Sequence, residues 1–109
     1  MSDSIKVEPA GVAQRDLLRN LLQLYLYDFL EFVAVERNTD GLFIYPYLDH
    51  YWTEPDRFPF LISVEGEHIG FALIREELDP LTNEIAYDLA EFFVMRKFRR
   101  KNVGTQAAH

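Results

Sequence analysis

Residues 4–8, Ser-Ile-Lys-Val-Glu, alternate polar and apolar side chains, the period-two pattern of a short strand. Pro9, Ala10 and Gly11 break it. From about Val12 to Val35 the period becomes helical. Leu18, Leu22, Tyr25, Phe29 and Phe32 recur at spacings of four and three, while Asp16, Arg19, Gln23, Tyr27 and Glu31 form a polar stripe. The stretch LLQLYLYDFLEF is apolar around most of its circumference, which predicts a helix packed on more than one side. RNTDG at 37–41 ends it. Residues 42–60 hold seven aromatics and three prolines, and the prolines forbid a long regular element there. A structured loop with one helical turn is expected, either as a hydrophobic flap over the core or as the wall of a ligand pocket.

The next pattern is period two again. Phe60, Ile62 and Val64 alternate, Glu-Gly-Glu follows, and Ile69, Phe71 and Leu73 continue, which predicts a β-hairpin turning at Gly66. ELDPLTNE is a longer connection marked by Asp79-Pro80 and Asn83. A further strand runs from about Ile85 to Met95. The order is thus strand, long helix and three antiparallel strands in a meander, an α/β (α+β) pattern with no internal repeat or linker.

At 109 residues the chain holds one domain with one core. Aromatic content of 15% favours packing over disorder. No cysteine is present, which excludes disulfides and thiolate chemistry. No apolar run reaches the length of a membrane span, and the N-terminus lacks a basic start followed by an apolar stretch. A cytoplasmic protein without a membrane partner is the expectation. His50, His68 and His109 show no ligand spacing, so no metal site is expected. Ser2, Ser4 and Ser63 lie in no nucleophile elbow.

Charge sharpens the picture at the end of the chain. The net charge is −7, yet Arg96, Lys97, Arg99, Arg100 and Lys101 are five of the eleven basic side chains. Six basic and eighteen acidic residues remain elsewhere, a balance of −12. Such a surface repels nucleic acid and tolerates a cationic substrate, so the basic run is not a nucleic-acid tail. It follows a strand and leads through Asn102-Val103-Gly104 into a helix start. Strand, glycine turn and helix N-terminus together bind anions, because unpaired N–H groups point outward and the helix dipole adds positive potential.

AEFFVMRKFRRKNVGTQAA resembles the central segment of the GNAT superfamily, the GCN5-related N-acetyltransferases. Their Arg/Gln-x-x-Gly-x-Gly/Ala signature falls here on Arg99 to Gly104, with Arg99 and Gly104 matching and Asn102 in place of the first glycine. Asn tolerates positive φ better than most residues. The upstream order also resembles the family's β-α-β-β-β portion. The resemblance implies a GNAT-like acyl-CoA N-acyltransferase fold and acetyl-CoA as co-substrate. It implies that the N–H groups of Arg100, Lys101, Asn102, Val103, Gly104 and Thr105 bind the pyrophosphate beside Arg99. It also implies that the backbone of Phe93, Val94 and Met95 pairs with the pantetheine arm.

Family members often carry a carboxylate base on the fourth strand. Asp88 and Glu91 are the candidates. On a regular strand they face opposite ways, and a bulge would change that parity. Glu91 is favoured as nearer the thioester. Tyr45, Tyr47 and Tyr51 are candidates for an acceptor pocket. The family's fifth strand, later helix and C-terminal strand pair have no counterpart, so residues 1–109 are expected to form a single, truncated GNAT domain with impaired activity alone. The expected activity is acetyl transfer to a primary amine of a small molecule or protein. The alternative is a non-catalytic CoA-binding module, or a homodimer formed through the edge of the fourth strand.

Overall fold

A computed structural model describes residues 5–32 and 34–99. Strand β1 covers Ile5–Pro9 and helix α1 covers Arg15–Phe29, entered through a 3-10 turn at Val12–Gln14. A four-residue helix, α2, follows at His50–Thr53. Strands β2 (Arg57–Val64), β3 (Glu67–Leu78) and β4 (Ile85–Val94) come next, and a short helix α3 spans Arg96–Arg99. The four strands form one sheet in the order β1-β2-β3-β4, antiparallel throughout. The expected α+β architecture is therefore present. The single helical turn in the aromatic loop is α2.

The β2–β3 hairpin turns at Glu65 and Gly66, both with positive φ, as a two-residue hairpin loop requires for strands of right-handed twist. Strand β2 starts at Arg57, three residues before the apolar alternation begins, and Pro59 lies within it. The proline is tolerated near the strand start, and its carbonyl accepts from the Ala10 N–H at 2.8 Å.

Helix α1 ends six residues before the expected Val35. Beyond Phe29 the chain tightens into i→i+3 bonding, with Phe32 N–H donating to Phe29 at 2.9 Å. The apolar pattern continues there, but none of the described residues covers it: Phe32 is 78% exposed. A helix in water is sustained by tertiary burial rather than by propensity, so it stops where the sheet beneath it stops. The buried stripe of α1 is Leu18, Leu21, Leu22 and Leu26. Each stabilises by about 1.5–3 kcal/mol.

Those leucines pack on Leu61, Phe71, Leu73 and Phe93 of the sheet and on Leu48 and Tyr51 of the loop. The helix is thus covered on two sides, as its apolar circumference predicts. Gln23 fastens the loop to it, donating to the Phe43 carbonyl at 2.9 Å and accepting from the Phe43 N–H at 2.8 Å. The Trp52 indole N–H donates to the Ala10 carbonyl at 2.9 Å, tying α2 to the exit of β1. On the opposite face of the sheet, Ile62, Val64, Ile69, Val94 and Phe98 form a smaller core.

Candidate active site

The site begins with a register irregularity. Leu73 pairs with Glu91, but the next residue of β3, Ile74, pairs with Leu89, so Ala90 is an extra residue in β4. Arg75 then pairs with Asp88. Leu73 and Arg75 share a face, and so do their partners. The bulge therefore brings Glu91 and Asp88 to the same side of the sheet, the side covered by α1.

The two carboxylates differ in their company. Asp88 accepts from the Arg75 guanidinium at 2.6 Å, and Arg75 also meets Glu77 at 3.4 Å. Glu91 makes no ion pair among the described residues. It accepts a hydrogen bond from the Tyr25 hydroxyl, across from α1. A carboxylate bound to a guanidinium must give up that pairing to take a proton, whereas Glu91 has only a neutral donor to share.

Three phenols feel the Glu91 charge. Burial pushes the Tyr25 hydroxyl well above the ordinary phenol value, and the hydrogen bond to Glu91 and its negative charge push it further. Tyr45 is raised likewise, by burial first and then by the Glu91 charge. Tyr51 is buried and raised by burial, against the opposing charges of Arg57 and Arg75. The Arg57 guanidinium lies 5.5 Å from the Tyr51 ring centre. The Glu91 charge acts on both Tyr45 and Tyr51, more weakly on Tyr51. Tyr47 is 57% exposed, edge-on to Tyr45 at 6.4 Å and out at the rim.

Phe93, Val94 and Met95 lie at the end of β4, which pairs with β3 and leaves its other edge open among the described residues. A cavity of about 420 Å³ opens there between this strand end and the end of α1, lined by Phe92, Phe93, Val94, Tyr25, Asp28, Phe29, Phe32 and Arg96, among others. Arg99 also borders it. Its Nε donates to the Val94 carbonyl at 2.6 Å and its Nη2 to Asp28 at 3.0 Å, with the guanidinium 5.6 Å from the Phe93 ring centre. Arg96 meets the other Asp28 oxygen at 2.7 Å. Asp28 therefore clamps α3, where the basic run begins, to α1. Arg100, Lys101, Asn102, Val103, Gly104 and Thr105 lie outside the described residues.

Sequence patterning passed over Tyr25 and Asp28. Tyr25 falls on the apolar stripe of α1 and reads as core. Its hydroxyl was the available signal, because a buried phenol needs a polar partner. Asp28 interrupts an otherwise apolar turn, which is the corresponding signal there.

A family model described as the acetyltransferase (GNAT) family matches residues 18–109. A search of the curated proteins gave no match. Among solved structures, a ribosomal-protein-alanine N-acetyltransferase from Brucella melitensis biovar Abortus 2308 superposes with a TM-score of 0.69 at 17% identity, covering 94% of this chain and 65% of its own. An integron cassette protein from the mobile metagenome of Cole Harbour Salt Marsh gives 0.73 at 18% identity, covering 93% and 63%. An aminoglycoside acetyltransferase from an uncultured soil metagenomic sample, in complex with sisomicin, gives 0.67 at 13% identity, covering 94% and 63%. At these identities the likeness is one of fold. The chain spans under two thirds of the length of these neighbours.

Proposed function

Because this chain belongs to the GNAT acetyltransferase family, we propose that it serves acetyl-CoA-dependent N-acetyl transfer to a primary amine of a small molecule or protein, with Glu91 as general base. The observation that carries this reading is the β4 bulge, which turns a carboxylate without an ion pair among the described residues toward the α1 face, two residues from the strand end at Phe93. Bound acetyl-CoA supplies the electrophilic thioester carbonyl and the thiolate leaving group. Glu91 takes a proton from the incoming ammonium and frees its lone pair for attack. Tyr45 and Tyr51 shape the acceptor side, with Tyr47 at its rim.

The open edge and the cavity beside it fit the co-substrate's arm. The backbone of Phe93, Val94 and Met95 would pair with it, and the N–H groups from Arg100 through Thr105 would hold the pyrophosphate. The engagement of Arg99 by Asp28 and Val94 supports a role at the entrance of that turn. The open β4 edge also favours a second reading, pairing with a second copy in a homodimer that binds CoA without turnover. A monomer by light scattering at high concentration would count against that second reading.

The test is thiol release from acetyl-CoA, with an alanine-terminated peptide and sisomicin as trial amines, because one neighbour is a ribosomal-protein-alanine N-acetyltransferase and another is complexed with sisomicin. Glu91→Gln is expected to lower kcat by about 10²- to 10⁴-fold. Wild-type turnover in that variant would remove Glu91 from the role. Calorimetry without heat on adding CoA would remove the co-substrate.

A further inference from the structure

We infer that Tyr25 is the positioning residue for Glu91: its hydroxyl, on a ring held among phenylalanines, fixes the carboxylate in place. The inference rests on the reading of Glu91 as general base. A glutamate side chain has three rotatable bonds, and a base effective only in one geometry loses rate when its carboxylate wanders. Glu91 has no cation to anchor it among the described residues, and its partner on β3, Leu73, and its neighbour two residues along β4, Phe93, are buried and apolar. Among those residues, the Tyr25 hydroxyl is its hydrogen-bond donor.

The ring that carries this hydroxyl has little freedom. It stacks on Phe29 at 5.6 Å and stands edge-on to Phe71 at 5.7 Å and Phe93 at 6.1 Å. Phe71 is fully buried and Phe93 nearly so. Phe71 and Phe93 are themselves paired across β3 and β4. A cross-strand pair two positions along from Leu73 and Glu91 thus holds the helix residue that holds Glu91. Tyr25 also borders the cavity at the end of β4. The site's geometry is in this way transmitted from the sheet to the carboxylate through a single phenol.

Two measurements test this in the full chain. The first is ¹³Cζ-tyrosine NMR, following the Tyr25 phenol with rising pH in the wild type and in Glu91→Gln. Loss of the carboxylate should bring the Tyr25 midpoint down toward the ordinary phenol value. An unchanged midpoint would overturn the inference, because the hydroxyl would not be bound to Glu91, and this holds whether or not an acceptor amine is known. The second is kinetic. Tyr25→Phe keeps the ring and its packing, and should lower kcat about 10-fold or more while leaving the KM for acetyl-CoA and the melting temperature in place. Added to Glu91→Gln, it should lower kcat no further. Tyr25→Phe with full kcat and a lower melting temperature would make Tyr25 a structural tether and overturn the inference alone. Glu91→Gln with full turnover would overturn the base reading, and the inference with it, whatever Tyr25→Phe does.

Discussion

Consider an alanine at Gly70. This residue of β3 pairs with Val94 of β4, and a Cβ built on it would overlap the Phe93 carbonyl oxygen outright. The same Cβ would lie 3.1 Å from both the Phe93 carbonyl carbon and the Val94 Cα, inside the 3.4 Å at which ordinary contact begins. All three atoms are backbone, so no rotamer change relieves the clash; β4 itself must move. Parting the strands there endangers about two ladder hydrogen bonds, the Met95 N–H to Ile69 carbonyl bond of 2.9 Å being one, at about 1 kcal/mol each. Overpacking adds about 1–3 kcal/mol. The stiffer unfolded chain returns about 0.4–1 kcal/mol. The net loss is about 2–4.5 kcal/mol from a total that is typically about 5–15. For a domain near this size that lowers the melting temperature by roughly 10–30 °C. Urea unfolding followed by circular dichroism measures it, with Gly11→Ala as control, since Gly11 has an extended φ of −74° and nothing within 4 Å of its would-be Cβ. The control should match wild type or exceed it by up to about 1 kcal/mol. A Gly70→Ala midpoint at or above that of wild type, with the Met95 amide still protected from exchange, would refute the reasoning.

Other outcomes follow from the same contacts. Tyr25 and Tyr45 have phenols raised in the folded state, so their contribution to stability is complete below the unfolded phenol value of about 10 and is lost as pH rises through it. Melting temperature should fall more steeply above about pH 10 than in a Tyr25→Phe, Tyr45→Phe double variant, and equal slopes would contradict the burial of these hydroxyls. Asp88→Asn breaks an ion pair whose two side chains are about 40% exposed, so it should cost no more than about 1 kcal/mol and leave turnover intact. Lost turnover would point to Asp88 rather than Glu91 as the base. Asp28→Asn frees Arg96 and Arg99 and should raise the KM for acetyl-CoA about 3- to 10-fold at constant kcat; an unchanged KM would detach the clamp from co-substrate binding.

Most of the architecture was legible along the chain. The alternation from Phe60 to Leu73 with Gly66 at its centre specified the hairpin, because side-chain period and turn conformation are properties of adjacent residues. The 3-and-4 spacing through Leu18 and Leu22 specified α1 in the same way. Where α1 ends was not legible. The apolar pattern runs on through Phe32, and only the extent of the sheet beneath decides that the helix stops at Phe29.

The candidate site divides along the same line. Residue type and position marked Glu91 and Asp88 on the last strand, and the basic run with Gly104 marked the signature. Their relative facing was open until β3 was laid against β4, because a bulge is a mismatch between two strands and is written in neither alone. The Tyr25–Glu91 hydrogen bond joins residues 66 positions apart. No local period reports such a pair, since its existence depends on where α1 crosses the sheet. The sequence by itself thus determined the elements, their order and the chemistry available on β4. The tertiary structure decided which carboxylate has no cation beside it among the described residues, which phenol reaches it, and why a glycine sits opposite the Phe93 carbonyl of β4.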